Sequence, residues 1–160
     1  MEFISKEIGN VRVDDSGMRL ELAKEMIPAL TTLADFRYIY VLYWFHKLAD
    51  PASRAKLTEK SPYKGAPAVM GTFATRSPER PNPIGLACCA ITFVDMKNGV
   101  VGLEYIDALD GTPVLDIKPY TPSLDRVENP CVPQWCAGWP NNVEDSGEFD
   151  WDSVFTFENE

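Results

Sequence analysis

The sequence predicts a mainly β protein closed as a small antiparallel barrel or sandwich, with few short helices and an irregular, proline-rich C-terminal tail. Three observations predict it. Apolar and β-branched residues recur in about seven short stretches that read as strands rather than in helical stripes. Asn98-Gly99 and Asp110-Gly111 are strong turn signals between such stretches, and the first closes a hairpin. Beyond Thr121, Pro122, Pro130, Pro133 and Pro140 interrupt any regular element.

The elements follow in order. Residues 4–13 read as a first strand, ended by the turn cluster Asp14-Asp15-Ser16-Gly17. In 18–25, Met18, Leu20 and Leu22 alternate with Arg19 and Glu21, the period of a half-buried strand. Residues 27–34 suit a short helix with Pro28 in its first turn. The run 38–45 is wholly apolar, aromatic and β-branched, so it predicts a central strand buried on both faces, with His46 and Lys47 at its polar exit. Residues 49–66 read as loop, or as helix around 51–57. Further strands are expected at 68–74, 85–96, 100–108 and 114–120.

At 160 residues the chain fits one domain with an adequate core. We divide it into a β-barrel body, 1–122, and an acidic, tryptophan-containing extension, 123–160. Trp135, Trp139 and Trp151 lie in that extension, and indole is costly to leave exposed, so it should pack on the body or on a second subunit. The longest apolar run has eight residues, against about 20 for a membrane span. The first seven residues lack the basic and apolar regions of a signal peptide, so a cytoplasmic protein is expected. Cys88 and Cys89 should be reduced thiols facing core and surface in turn. Cys131 and Cys136, with one histidine in the chain, fall short of a zinc set, and no metal is expected.

The net charge of −9 is uneven. Residues 141–160 hold seven acids and no base, whereas 47–80 hold seven bases and three acids. A generic nucleic-acid binder has a basic face; here the global sign opposes that and one segment supports it. Dinucleotide-binding, Walker, zinc-protease and serine-hydrolase signatures are absent.

Two segments carry the chemistry. In Phe73-Ala74-Thr75-Arg76-Ser77-Pro78-Glu79-Arg80-Pro81-Asn82-Pro83-Ile84-Gly85, three prolines within six positions stiffen a loop that holds two guanidiniums. Forked donors on rigid backbone suit a carboxylate or phosphate; the alternative is a stiff connection whose arginines cap carbonyls. In Asp107-Ala108-Leu109-Asp110-Gly111-Thr112-Pro113-Val114-Leu115-Asp116-Ile117-Lys118-Pro119-Tyr120, Asp116, Lys118 and Tyr120 alternate onto one side of a strand. They make either a surface ion pair or the lining of a mouth.

These segments resemble the signatures of the TsaA-like family, the tRNA methyltransferases of TrmO type. Phe73–Gly85 and Asp110–Tyr120 are complete, and Phe45-His46 is similar to a third landmark. The resemblance implies an antiparallel β-barrel, a homodimer and S-adenosylmethionine as cofactor. It also implies methylation of the exocyclic nitrogen of a threonylcarbamoylated adenosine beside the tRNA anticodon. By motif position, His46, Lys47, Arg76, Leu86 and the turn Asp110, Gly111, Thr112 and Pro113 are the expected cofactor contacts. Arg80, Asn82 and Lys118 are candidate substrate contacts, and His46, Asp116 and Tyr120 candidate catalytic groups that take a proton. Ile8-Gly9 leads into Asn10-Val11-Arg12 where family members carry an Arg-Ser-Pro-like loop and an Arg-Gln segment, and the acidic tail stands where longer bacterial members have a further domain. The same barrel acting on a small molecule or protein, or binding the cofactor without turnover, are the other readings.

Overall fold

The computed structural model describes residues 4–156. The first three residues, which belong to the predicted non-leader start, and Glu158 and Glu160 of the acidic tail lie outside the described residues. The strands are β1 (Gly9–Asp14), β2 (Gly17–Leu22), β3 (Tyr38–Trp44), β4 (Thr58–Lys60), β5 (Val69–Gly71), β6 (Ile84–Asp95), β7 (Val100–Leu103) and β8 (Pro113–Pro119). Six of them close a barrel in the order β1-β2-β7-β6-β3-β8, and β8 pairs back onto β1 through Gly9↔Val114 and Asn10↔Pro113. Every pairing is antiparallel. The barrel is one of the two closures the strand pattern allows and the one the family resemblance implies.

Inward-facing residues fill the interior: Val11, Leu20, Ile39, Val41, Val101 and Val114 have no exposed surface at all. Gly17, Gly99 and Gly111 hold positive φ at their turns, and Gly99 follows Asn98 in the β6–β7 hairpin. β3 differs from its prediction. Ile39, Val41 and Tyr43 are buried, but Tyr38, Tyr40, Leu42 and Trp44 are only half-buried. A closed barrel has one interior, so the outer face of an apolar strand takes partial cover; here the Tyr120 ring lies 6.5 Å from Tyr38 and 5.9 Å from Tyr40.

Other boundaries shift for local reasons. β1 starts at Gly9, not residue 4, because pairing with β2 begins at Gly9↔Leu22 and Ile4 is exposed. β7 ends at Leu103, where its partner β2 runs out at Met18, so 104–108 leaves the sheet. The helix expected at 27–34 is two 3₁₀ stretches, Lys24–Leu30 and Leu33–Asp35, with Pro28 inside the first. Within 49–66 the chain forms α1 (Pro51–Arg54), capped by the Asp50 carboxylate on the Ala52 and Ser53 amides, and then β4. β4 pairs with β5 as a separate hairpin, and the expected strand 68–74 turns 3₁₀ after Gly71.

After β8 comes α2 (Pro122–Asp125), with Asp125 accepting the Thr121 amide at 2.6 Å. Three 3₁₀ turns follow in the tail. All four cysteines are free, Cys89 buried and Cys88 half-buried. Burial drives the Cys89 thiol up to about 12. Among the described residues no helix is long and apolar enough to cross a membrane, and no group of three or more potential ligands is placed to hold a metal.

Candidate active site

A cleft of about 410 Å³ opens at one end of the barrel, within the size range of small-molecule sites. One wall comes from the exit of β3, where the strand gives way to a 3₁₀ turn at His46–Leu48 and presents Phe45, His46, Lys47 and Leu48. The opposite wall is the stretch after β7, from Tyr105 to Leu109. Arg76 and Pro78 of the proline-stiffened loop close a third side, and Met18, Tyr43 and Thr112 form the floor.

Tyr43 ties two walls together. Its hydroxyl donates to the Asp107 carbonyl at 2.8 Å, and its ring meets Phe45 edge-on at 5.3 Å. Burial, with the Asp107 charge second, pushes the Tyr43 phenol up to about 12, so it stays a neutral donor at physiological pH. Tyr105 is also shifted up, by burial and then by Asp107.

The arginine loop is anchored on several sides. Arg54 donates to the Pro81 carbonyl at 2.9 Å, Lys56 pairs with Glu79, and the Phe45 amide donates to Pro83 at 2.8 Å. Thr75 is buried, its hydroxyl 2.6 Å from Glu59. The two arginines then divide the alternatives left open by sequence. Arg80 reaches the Ser77 and Thr75 carbonyls at 3.3 and 3.5 Å, the capping arrangement. Arg76 lines the cleft, and its guanidinium donates to the Leu86 carbonyl at 3.4 Å.

The structure therefore gathers His46, Lys47, Arg76 and Thr112 of the expected cofactor contacts in one cleft. Leu86 lies on the outer face of β6, joined to the cleft through Arg76. Asp110 and Gly111 sit beyond the cleft lining. The Asp110 carboxylate accepts the Val13 amide at 3.0 Å and faces Arg12 at 3.5 Å, while the Gly111 amide donates to Val11 at 2.8 Å. Pro113 opens β8 opposite Asn10. Asp116 and Lys118 form an exposed ion pair at 2.8 Å on the outer face, beside Tyr120, and Asn82 is exposed in the loop; none of the four lines the cleft. Sequence reasoning set Asp107 at the start of the second segment without giving it a role and missed Tyr105, because 100–108 reads as a continuing strand. It also missed Met18, Tyr43 and Ile106, which carry no signal beyond that of ordinary core residues.

Comparison with known proteins places this geometry. Residues 9–126 match the family model of the tRNA-methyltransferase O N-terminal domain, and the chain belongs to that family. It is 40% identical over 116 residues to an S-adenosyl-L-methionine-binding protein of Archaeoglobus fulgidus, covering 72% of this chain and 78% of the relative. It is 36% identical over 126 residues to the tRNA (adenine(37)-N6)-methyltransferase of Escherichia coli, covering 78% of this chain but only 53% of that enzyme. The crystal structure of TrmO from Pseudomonas aeruginosa superposes with a TM-score of 0.63 at 28% identity, over 82% of this chain and 62% of that one.

Proposed function

We propose that the protein is an S-adenosylmethionine-dependent methyltransferase whose acceptor is the exocyclic nitrogen of threonylcarbamoyl-modified adenosine next to the tRNA anticodon. The observation that carries this is the convergence of Arg76, His46, Lys47 and Asp107 on a cleft otherwise walled by Phe45, Leu48, Ile106 and Leu109. The donor set fits the cofactor: a forked guanidinium for its carboxylate, the Asp107 side for its ammonium, the Thr112 hydroxyl for ribose and an apolar wall for adenine. Once bound, the cofactor supplies a methyl group activated by positive sulfur.

The protein's own contribution is mainly alignment and exclusion of water. Arg76 fixes one end of the ligand, with Leu86 beside it and the Asp110–Pro113 turn holding Thr112 in place. His46 is the cleft residue suited to take the proton that leaves the acceptor nitrogen. Asp116 and Tyr120, the other candidates for that proton, are outside the cleft lining, which favours His46. Asn82 and Lys118 are the proposed RNA contacts, joined by Arg80 through the edge of its guanidinium other than the Nη1 that caps the Thr75 and Ser77 carbonyls. The exposed outer face carrying Ile84 and Leu86 supports a homodimer, to be checked by light scattering. A cytoplasmic location suits a tRNA substrate, and the extension from residue 123 is read as a second segment packed on the barrel body.

The test is calorimetric titration of S-adenosylmethionine into wild type and Arg76→Ala, followed by methyl transfer to tRNA lacking the modification, at several salt concentrations. Micromolar binding that weakens markedly but stays measurable in the variant, with RNA affinity falling steeply with salt, is expected. Binding without transfer to tRNA would point to another acceptor or to a sensor, and absence of binding would overturn the reading.

A further inference from the structure

The C-terminal extension runs on past residue 126, where the matched family span ends, and its aromatic residues gather on one ring of the body. Trp135 stacks on Tyr63 with centroids 5.1 Å apart and planes 12° from parallel. Trp139 meets the same ring edge-on at 5.1 Å, and Phe155 tilts over it at 5.7 Å. Trp151 packs behind, 5.5 Å from Trp139, with Phe149 4.9 Å beyond it. Backbone bonds fasten the contact: the Lys64 amide donates to Val154 at 2.8 Å and the Thr156 amide to Pro62 at 2.9 Å. The Lys64 ammonium adds bonds to the Asp152 and Ser153 carbonyls at 3.2 and 3.1 Å.

Tyr63 lies in the connection of the β4–β5 hairpin, and the hairpin carries the arginine loop on its far end. Glu59 of β4 holds the Thr75 hydroxyl at 2.6 Å, and that hydroxyl in turn takes the Ser77 amide at 3.3 Å. Both neighbours of Arg76 are thus fixed from the hairpin. Tyr63 follows Glu59 by four residues in the hairpin connection, so what holds its ring holds the segment that fixes the loop; the Arg76 amide also offsets part of the rise that burial imposes on the Tyr63 phenol. Only the guanidinium is left to swing toward the Leu86 carbonyl and the cleft.

We propose that Tyr63 is a positioning residue for Arg76, and that the aromatic C-terminal extension is the clamp that keeps Tyr63 in place. This rests on the reading of Arg76 as the residue that holds the cofactor carboxylate. A forked donor gives two parallel hydrogen bonds only when its base is fixed, so an unsupported loop would weaken the contact without removing any atom from it. The extension is then part of the cofactor site, although none of its described residues lines the cleft.

The experiment uses the full-length chain and four variants: Tyr63→Phe, Trp135→Ala, Trp135→Phe and Arg76→Ala, with Arg76→Ala also combined with each of the first two. Cofactor affinity is read by calorimetry and hydrogen exchange at the Arg76 and Ser77 amides by mass spectrometry or NMR. Trp135→Ala should weaken S-adenosylmethionine binding about tenfold and speed that local exchange, with Trp135→Phe restoring most of both. Tyr63→Phe keeps the stacked ring and should lose part of each. In the Arg76→Ala background neither change should cost further affinity, because the effect acts through that arginine. Wild-type affinity in both Trp135→Ala and Tyr63→Phe, or an undiminished loss in the Arg76→Ala background, would overturn the proposal. Should Trp135→Ala fail to fold, Phe155→Leu, which takes a smaller ring off Tyr63, replaces it with the same expectations. If the wild type binds no cofactor, the function reading fails, while unchanged amide exchange in Trp135→Ala would separately sink the clamp.

Discussion

Gly85 stands opposite Tyr43 in the register of β6 on β3, and a Cβ at Gly85 would lie 2.3 Å from two carbons of the Tyr43 ring. The glycine of the Pro-Ile-Gly run therefore does more than end a stiff loop. By presenting no side chain, it lets the Tyr43 ring occupy the barrel end, from where its hydroxyl holds the Asp107 carbonyl at 2.8 Å. One absent methyl thus connects the arginine loop to the far wall of the cleft.

Gly85→Ala is accordingly expected to destabilise the protein by about 1–3 kcal/mol, the usual cost of overpacking a filled core. Urea unfolding should show a lower midpoint at unchanged slope, and cofactor affinity should fall as the Asp107 wall shifts. A midpoint equal to wild type would mean that the ring has room to give way.

High pH should unfold the protein early. Tyr43 and Cys89, 4% and 1% exposed, are both raised to about 12, from ordinary values of 10.0 and 9.0. A raised acid holds its proton longer in the folded chain than in the unfolded one. The unfolded state therefore binds fewer protons above pH 9, and stability falls as pH rises through that range. The slope reaches at most about 1.4 kcal/mol per pH unit for each group. Urea unfolding between pH 8 and 11 should show the decline. Tyr43→Phe should remove the part above pH 10 and Cys89→Ala the part that begins near pH 9. A flat profile for wild type would contradict the burial of both groups.

How much of this was legible depends on where the signal resided. Turn chemistry was local, so Asn98-Gly99 and Asp110-Gly111 announced themselves, and both glycines take positive φ. The motif loop placed Arg76, and the polar exit of the aromatic strand placed His46 and Lys47. The two-face burial expected for β3 was wrong because residue composition cannot tell an enclosed outer face from one half-covered by Tyr120. β4 is Thr-Glu-Lys, a polar triplet that becomes a strand only by pairing with β5. Tyr63 sits between Pro62 and Lys64 with no apolar period around it, so nothing local marks it as the anchor of three distant rings.

His46 separates alignment from proton transfer. If it accepts the acceptor nitrogen's proton, His46→Ala should lower turnover of unmethylated tRNA by roughly 10²–10⁴-fold. Cofactor affinity should change much less, since Arg76 and the apolar wall remain. Single-turnover assays beside calorimetry would resolve the two. Equal losses in both would make His46 a binding residue only.

Asp107 and Asp110, three positions apart, should fail in opposite ways. Asp107 is exposed on the cleft wall, and only its backbone carbonyl is committed to Tyr43. Asp110 uses its carboxylate on the Val13 amide and Arg12, closing the end of β1 against the turn. Removing an exposed carboxylate that braces nothing changes stability little, so Asp107→Ala should stay within about 0.5 kcal/mol of wild type. Its cofactor affinity should nonetheless drop about tenfold, the equivalent of one charge-assisted hydrogen bond. Asp110→Ala deprives a backbone donor of its acceptor and should cost about 1 kcal/mol of stability, with a smaller change in affinity that follows from Thr112 moving. Thermal unfolding and calorimetry on the two variants give four numbers. The crossed pattern supports separate roles, whereas a stable Asp110→Ala that no longer binds would put that carboxylate directly on the ligand.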